Sequence, residues 1–269
     1  MLEAWIHHVP AWLLVLFRLS GLFLAAPMLS SRVIPMRIKI MTALGLSFCV
    51  YPMLLQSPAS AGHVTAVVGS GFSFWSMGAM VAAELTIGWL IGYGATLPLM
   101  AMQMGGRMIA QQIGLGLAEI FSPGEEQAGL VSALFLLVAL SVFVAIDGHL
   151  VLVRILVSSF DHVPLGGFRV DRSVFDLVIG LLDSMLDLSL RVAAPLLCLV
   201  FLETVATGFI MRTVPQINIL SVGFAMRILL GGMLLLAAHH AQVQAFIDTM
   251  HRTLAALATF VSGGSPGTG

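Results

Sequence analysis

Residues 102–127 read MQMGGRMIAQQIGLGLAEIFSPGEEQ. Long apolar runs flank this stretch, yet it carries Gly105, Gly106, Gly114, Gly116 and Gly124, the amides Gln103, Gln111 and Gln112, the charges Arg107, Glu119, Glu125 and Glu126, and Pro123. Hydrocarbon excludes such a composition, because every unpaired backbone or side-chain polar group there costs free energy that no solvent returns. Irregular polar backbone persists at membrane depth only when it is buried in protein or lines a water-filled cavity. The stretch therefore reads in one of two ways. It is either the working part of a membrane-embedded assembly or an ordinary extramembrane loop between two spans.

The remainder of the chain supports a membrane setting. Of 269 residues 59% are hydrophobic and 9% charged, and the mean hydropathy is +1.03; a soluble domain carries about a quarter charged residues. The length accommodates about five or six apolar segments of about 20 residues each, joined by short loops. The fold class expected is all-α, built from apolar helical hairpins with broken helices. A net charge of -1 without a basic cluster argues against nucleic acid, whose phosphates require one. Cys49 and Cys198 lie inside apolar runs and read as small buried hydrophobes rather than a disulfide. Glu3 and the absence of a basic leader make residues 5–26 a retained first segment.

Ions inside the apolar runs are the next signal. Arg18 sits in the middle of LLVLFRLSGLF, and Glu84, Asp147, Glu203 and Arg227 occupy similar surroundings. Charges at such positions are costly and pair across helices or face water. Sequence alone leaves the pairing open, and for Arg18 snorkelling toward an interface is the alternative. Arg32, Arg37 and Lys39 gather in one short connection, which the positive-inside rule places on the cytoplasmic side. Residues 40–55 form a short apolar segment that suits a span or a re-entrant piece. Gly88 and Gly92 have the spacing that lets two helix backbones approach closely. Asp176, Gly180, Asp183, Asp187 and Arg191 share one helical face, which must meet water, another subunit or a basic partner; a solvated face is the plain reading and the wall of an aqueous conduit the sharper one.

Catalytic signatures are missing. The single lysine, Lys39, follows no glycine-rich loop, and the chain holds no HExxH, GxSxG or CxxC pattern. His149 has no second ligand at helical spacing, and His239 and His240 point in different directions around a helix. No catalytic, cofactor-binding or metal residue is nominated. A small secondary transporter with broken helices is a competing class. It calls for an internal repeat, and the halves around Glu84/Gly88 and Glu203/Gly208 share only an acid followed by a glycine.

Several stretches, in order, carry a resemblance: residues 17–27 (FRLSGLFLAAP) with 34–37 (IPMR), 84–88 (ELTIG), 106–118 with its QQIG core, Asp147-Gly148-His149, Ser159-Phe160, Val163-Pro164, 213–218 (TVPQIN) and Gly223-Phe224. Together they cover nearly the whole chain, and the ordered set resembles the FliR family, the R subunit of the flagellar type III export gate. The homologous T subunit of virulence injectisomes is the alternative within that resemblance. The resemblance implies a single non-enzymatic export-gate domain over residues 1–262, with a flexible tail at 263–269. It also implies one copy closing a helical, pore-forming assembly of FliP and FliQ subunits with FlhB alongside, at the flagellar basal body of the bacterial inner membrane. Unfolded flagellar proteins pass transiently through the centre, so apolar helices there meet protein as well as lipid. By position, the family's pore plug loop falls on Gln111, Gln112, Gly114, Gly116, Glu119, Phe121, Pro123, Gly124 and Glu125. The paired Gln111-Gln112 and Glu125-Glu126 depart from the family's pattern.

Overall fold

The computed structural model describes residues 2–28, 34–69, 74–114, 129–213 and 219–263. Eight helices and no strand occur among the described residues: α1 (Leu2–Ala25), α2 (Met36–Gln56), α3 (Pro58–Gly69), α4 (Phe74–Ile113), α5 (Leu130–Ala145), α6 (Gly148–His162), α7 (Arg172–Thr213) and α8 (Ile219–Val261). An apolar chain of this kind has reason to be helical, since a helix satisfies its own backbone donors and acceptors without water. α1, α2, α4, α7 and α8 are each long and apolar enough to cross a membrane, and α5 with α6 would make a sixth span as a broken pair.

Local chemistry sets the ends. α2 starts after Pro35, whose carbonyl accepts from the Ile38 and Lys39 amides; it stops at the extended Ser57, and Pro58 opens α3 at the position where a missing N–H costs nothing. Of the two residues between α5 and α6, Asp147 adopts the left-handed conformation at φ 56, and its carbonyl accepts from the Leu150 and Val151 amides of α6. Asp171 caps α7. Its Oδ1 accepts from the Ser173 hydroxyl at 2.6 Å and from the Ser173 and Val174 amides at 3.1 and 3.4 Å. The hydroxyl bond, followed by those amides, holds the Asp171 carboxyl below its ordinary pKa.

The chain forms two compact units. The first comprises Met1–Leu97, Ile146–Leu181 and His251–Gly269; its core is built from Leu14, Leu19 and Leu22 of α1, Ile87 and Ile91 of α4 and Phe160 of α6. Within it α1 packs on α2 and α3, and α3 on α6. The second comprises Pro98–Ala145 and Leu182–Met250, with Ile109 of α4, Phe143 of α5, Val192 of α7 and Phe246 of α8 fully buried.

Three sequence expectations are corrected. Residues 102–113 are not irregular backbone but the last three turns of α4. Gly105 and Gly106 serve packing: an added Cβ would stand 2.8 Å from Cγ1 of Val192 and 3.0 Å from Cα of Ser132, so only bare backbone admits α7 and α5 that closely. Cys49 and Cys198, read as buried, are exposed, because an apolar neighbourhood in sequence does not say whether a given helix face meets its own chain. Asp147 is likewise exposed, at the break between helices rather than in a core.

Candidate functional site

Arg18 is the largest fully buried side chain of the first unit, at 0% exposure. Its guanidinium lies against both oxygens of Glu84, also 0% exposed: Nε donates to Oε2, and Nη2 to Oε1 at 3.0 Å. Nη1 donates to the Ser159 hydroxyl at 3.0 Å and Nη2 to the Val163 carbonyl at 3.3 Å. The Gly166 amide donates to Glu84 Oε1 at 2.7 Å, and the guanidinium carbon sits 4.2 Å above the Phe160 ring. A buried charge is tolerated when its partner is opposite in sign and the remaining donors are used. Here that network ties α1, α4, α6 and the turn after α6 together. Close backbone contact makes it possible: a Cβ at Gly88 would overlap the Arg18 carbonyl oxygen, and one at Gly92 would lie 2.8 Å from the Ala26 amide.

The second unit holds the pair between Arg227 and Glu203. Arg227 of α8 donates from Nε to Glu203 Oε2 of α7 at 2.8 Å and from Nη2 to the Thr204 hydroxyl at 3.0 Å. Glu203 Oε1 accepts from the Thr207 hydroxyl at 3.2 Å. The Glu203 side chain is buried, whereas that of Arg227 keeps 35% of its surface. Nearer the C-terminal end of the hairpin, Gln242 Nε2 donates to the Val192 carbonyl at 3.0 Å, beside an apolar cavity of about 270 Å³ lined by Phe135, Leu235 and His239 among others.

Of the plug-loop residues, Gln111 and Gln112 are exposed on the last turn of α4. Gly114 follows at φ 88, with the Phe224 ring 2.8 Å from where its Cβ would be. Gly116, Glu119, Phe121, Pro123, Gly124 and Glu125 lie outside the described residues. On α7, Asp176, Asp183, Asp187 and Arg191 are all exposed, and Arg191 pairs with Asp187 at 2.7 Å. Among the described residues no three His, Cys, Asp or Glu side chains gather closely enough to hold a metal ion.

A family model for bacterial export proteins, family 1, matches residues 9–253. The chain belongs to this family. It is similar to flagellar biosynthetic protein FliR of Escherichia coli strain K12, 28% identical over 85% of this chain and 84% of that protein. The FliR proteins of Aquifex aeolicus (25%, 83% of each chain) and Bacillus subtilis (23%, 81% of this chain and 82% of that one) are similar over the same extent. The Arg18–Glu84 and Arg227–Glu203 pairs of this bacterial export protein fall inside the matched residues.

For some members of these networks the sequence does not say what they touch. Ser159, the Val163 carbonyl and the Gly166 amide reach Arg18 and Glu84 from 141, 145 and 82 residues away in the chain, and neither a serine on a helix nor a turn glycine announces such a partner. Phe224 against Gly114 is equally silent. Asp171 is different: an Asp immediately before an apolar-periodic run is a readable N-cap.

Proposed function

We propose that this chain is the R subunit of a flagellar type III export gate: a non-enzymatic component that closes a FliP/FliQ assembly in one copy, with FlhB alongside, in the bacterial inner membrane at the flagellar basal body. The similarity to flagellar biosynthetic proteins from distant bacteria, over 81–85% of this chain, carries this reading. The chain contributes wall and plug rather than chemistry. Its helices pack through bare glycines and matched ions, the construction a protein-lined conduit requires where polar groups must find partners inside the assembly. Unfolded flagellar proteins pass through, and the energy for their movement comes from other components. The plug follows α4: Gln111 and Gln112 end the helix, Gly114 turns the chain, and Gly116, Glu119, Phe121, Pro123, Gly124 and Glu125 belong to the segment that occupies the closed pore.

Affinity purification tests the reading. A tagged copy expressed with the FliP and FliQ genes of the same organism is expected to bring both subunits down, and deletion of its gene to abolish motility until the wild-type copy is restored. Purification of the chain alone or as a homo-oligomer, with motility unaffected by the deletion, overturns it.

A further inference from the structure

The cavity of the second unit has one polar defect. Its volume is about 270 Å³, and it lies among Met102 of α4, Phe135 of α5 and Gly232, Leu236, His239 and Gln242 of α8. Leu236 is 83% exposed and marks the open side; Gln242 is 5% exposed and marks the buried side. The sense of the Gln242 amide is fixed by its neighbour. The Val192 carbonyl only accepts, so the atom 3.0 Å from it is the donor Nε2. Oε1 is left buried and, among the described residues, without a hydrogen-bond partner. Buried amide oxygens are ordinarily satisfied, and an orphaned one costs stability. The last torsion of a glutamine is broad, and Gln242 lines the cavity, so a small turn of the carboxamide presents Oε1 to an occupant while Nε2 stays near Val192. The chain leaves the space open: an added Cβ at Gly232 would meet nothing within 4 Å.

The chemistry of the occupant follows from the walls. Of the described lining residues only His239 and Gln242 are polar. A charged molecule would lose its hydration there without a counter-ion, and water, which needs two to four polar partners, would leave the apolar walls uncovered. An apolar cavity of about 150 Å³ holds benzene, so the larger one here admits one or two fused rings. Phe135 and His239 offer ring surfaces to a flat molecule. Oε1 asks for a single donor.

We infer that this cavity binds a neutral, flat, largely apolar molecule of one or two rings whose single N–H or O–H donates to Gln242 Oε1. The site belongs to this chain alone and does not depend on the export-gate reading. To test it, the full chain carries 4-fluorophenylalanine at position 135 and is purified with the subunits it brings down. It is then titrated with indole and with benzofuran, which has nearly the same shape and no N–H. Indole should shift the fluorine resonance saturably. Comparing both probes across variants cancels their partition into detergent. The preference for indole over benzofuran should be about tenfold larger in wild type than in Gln242→Leu, in line with one hydrogen bond to a buried oxygen. Gly232→Leu fills the void and should abolish the shift with either probe. No saturable shift in the wild type, or a shift that survives Gly232→Leu, overturns the site. A preference equal in wild type and Gln242→Leu overturns the donor to Oε1, and Gln242→Met makes the same comparison if the leucine variant does not accumulate. Failure to recover partner subunits counts against the export-gate reading, whereas the titration of the chain itself decides this inference.

Discussion

The Glu84 carboxylate receives the Arg18 guanidinium on both oxygens, with neither side chain exposed, across 66 residues of sequence. Removing one partner leaves the other charged, dry and unmatched, a loss of about 3–5 kcal/mol for buried pairs. Arg18→Met and Glu84→Met should each deplete the chain from membranes and shrink swimming halos. The double variant Arg18→Met/Glu84→Met, which buries no charge, should recover part of the level; a double variant as poor as the worse single one would show that the pair does more than neutralise itself.

The backbone contact beneath this pair is separately testable. A methyl at Gly88 overlaps the Arg18 carbonyl, while one at Gly78 on the same helix meets nothing within 4 Å. Gly88→Ala should therefore lower thermal stability by about 1–3 kcal/mol, the range for overpacked sites. Gly78→Ala should raise it by about 0.5–1 kcal/mol through helix propensity. Melting of the detergent-solubilised protein distinguishes the two, and equal effects would contradict the close α1–α4 approach.

How much of this was readable in sequence depends on the range of the forces involved. Composition and the apolar length of runs such as residues 130–145 were enough for helices, because hydrocarbon-like surroundings leave the backbone few alternatives. Arg18, Glu84, Glu203 and Arg227 stood out as ions in apolar context for the same reason. Their geometry did not, since pairing is a property of distant segments: Ser159 and the Val163 carbonyl complete the Arg18 site from another helix end. Glycine was the ambiguous residue. At 105 and 106 it reads as loop but is helix made bare for α5 and α7, whereas at 114 it does turn the chain. Continuity across α7 was also hidden, because the charged face ending at Arg191 and the apolar run after it look like two segments although Pro195 does not break the helix.

Asp171 gives a pH-dependent prediction outside the apolar helices. Its carboxyl is held below the ordinary range by the Ser173 hydroxyl and the first amides of α7. A group with a lowered folded pKa stabilises the fold above its unfolded pKa, and that contribution disappears as pH falls through the folded value. Asp171→Asn retains an acceptor for the cap but does not titrate. Acid titration of melting temperature should thus show a shallower decline in the variant than in the wild type, and superimposable curves would remove the carboxylate from the account.

Gly114 joins the described fold to the proposed plug. Its φ of 88 is a conformation that costs other residues about 1–2 kcal/mol, and the Phe224 ring stands 2.8 Å from the position a Cβ would take. Gly114→Ala should therefore displace the start of the plug in two ways, by backbone strain and by collision. Adding Phe224→Ala removes the collision alone, so the double variant should lie between wild type and Gly114→Ala in small-solute influx through the assembled complex. Deleting residues 114–124 should leave FliP and FliQ bound while making the membrane leakiest of all. A deletion strain whose membrane stays tight, with the complex recovered at normal yield, would place the plug elsewhere in the assembly.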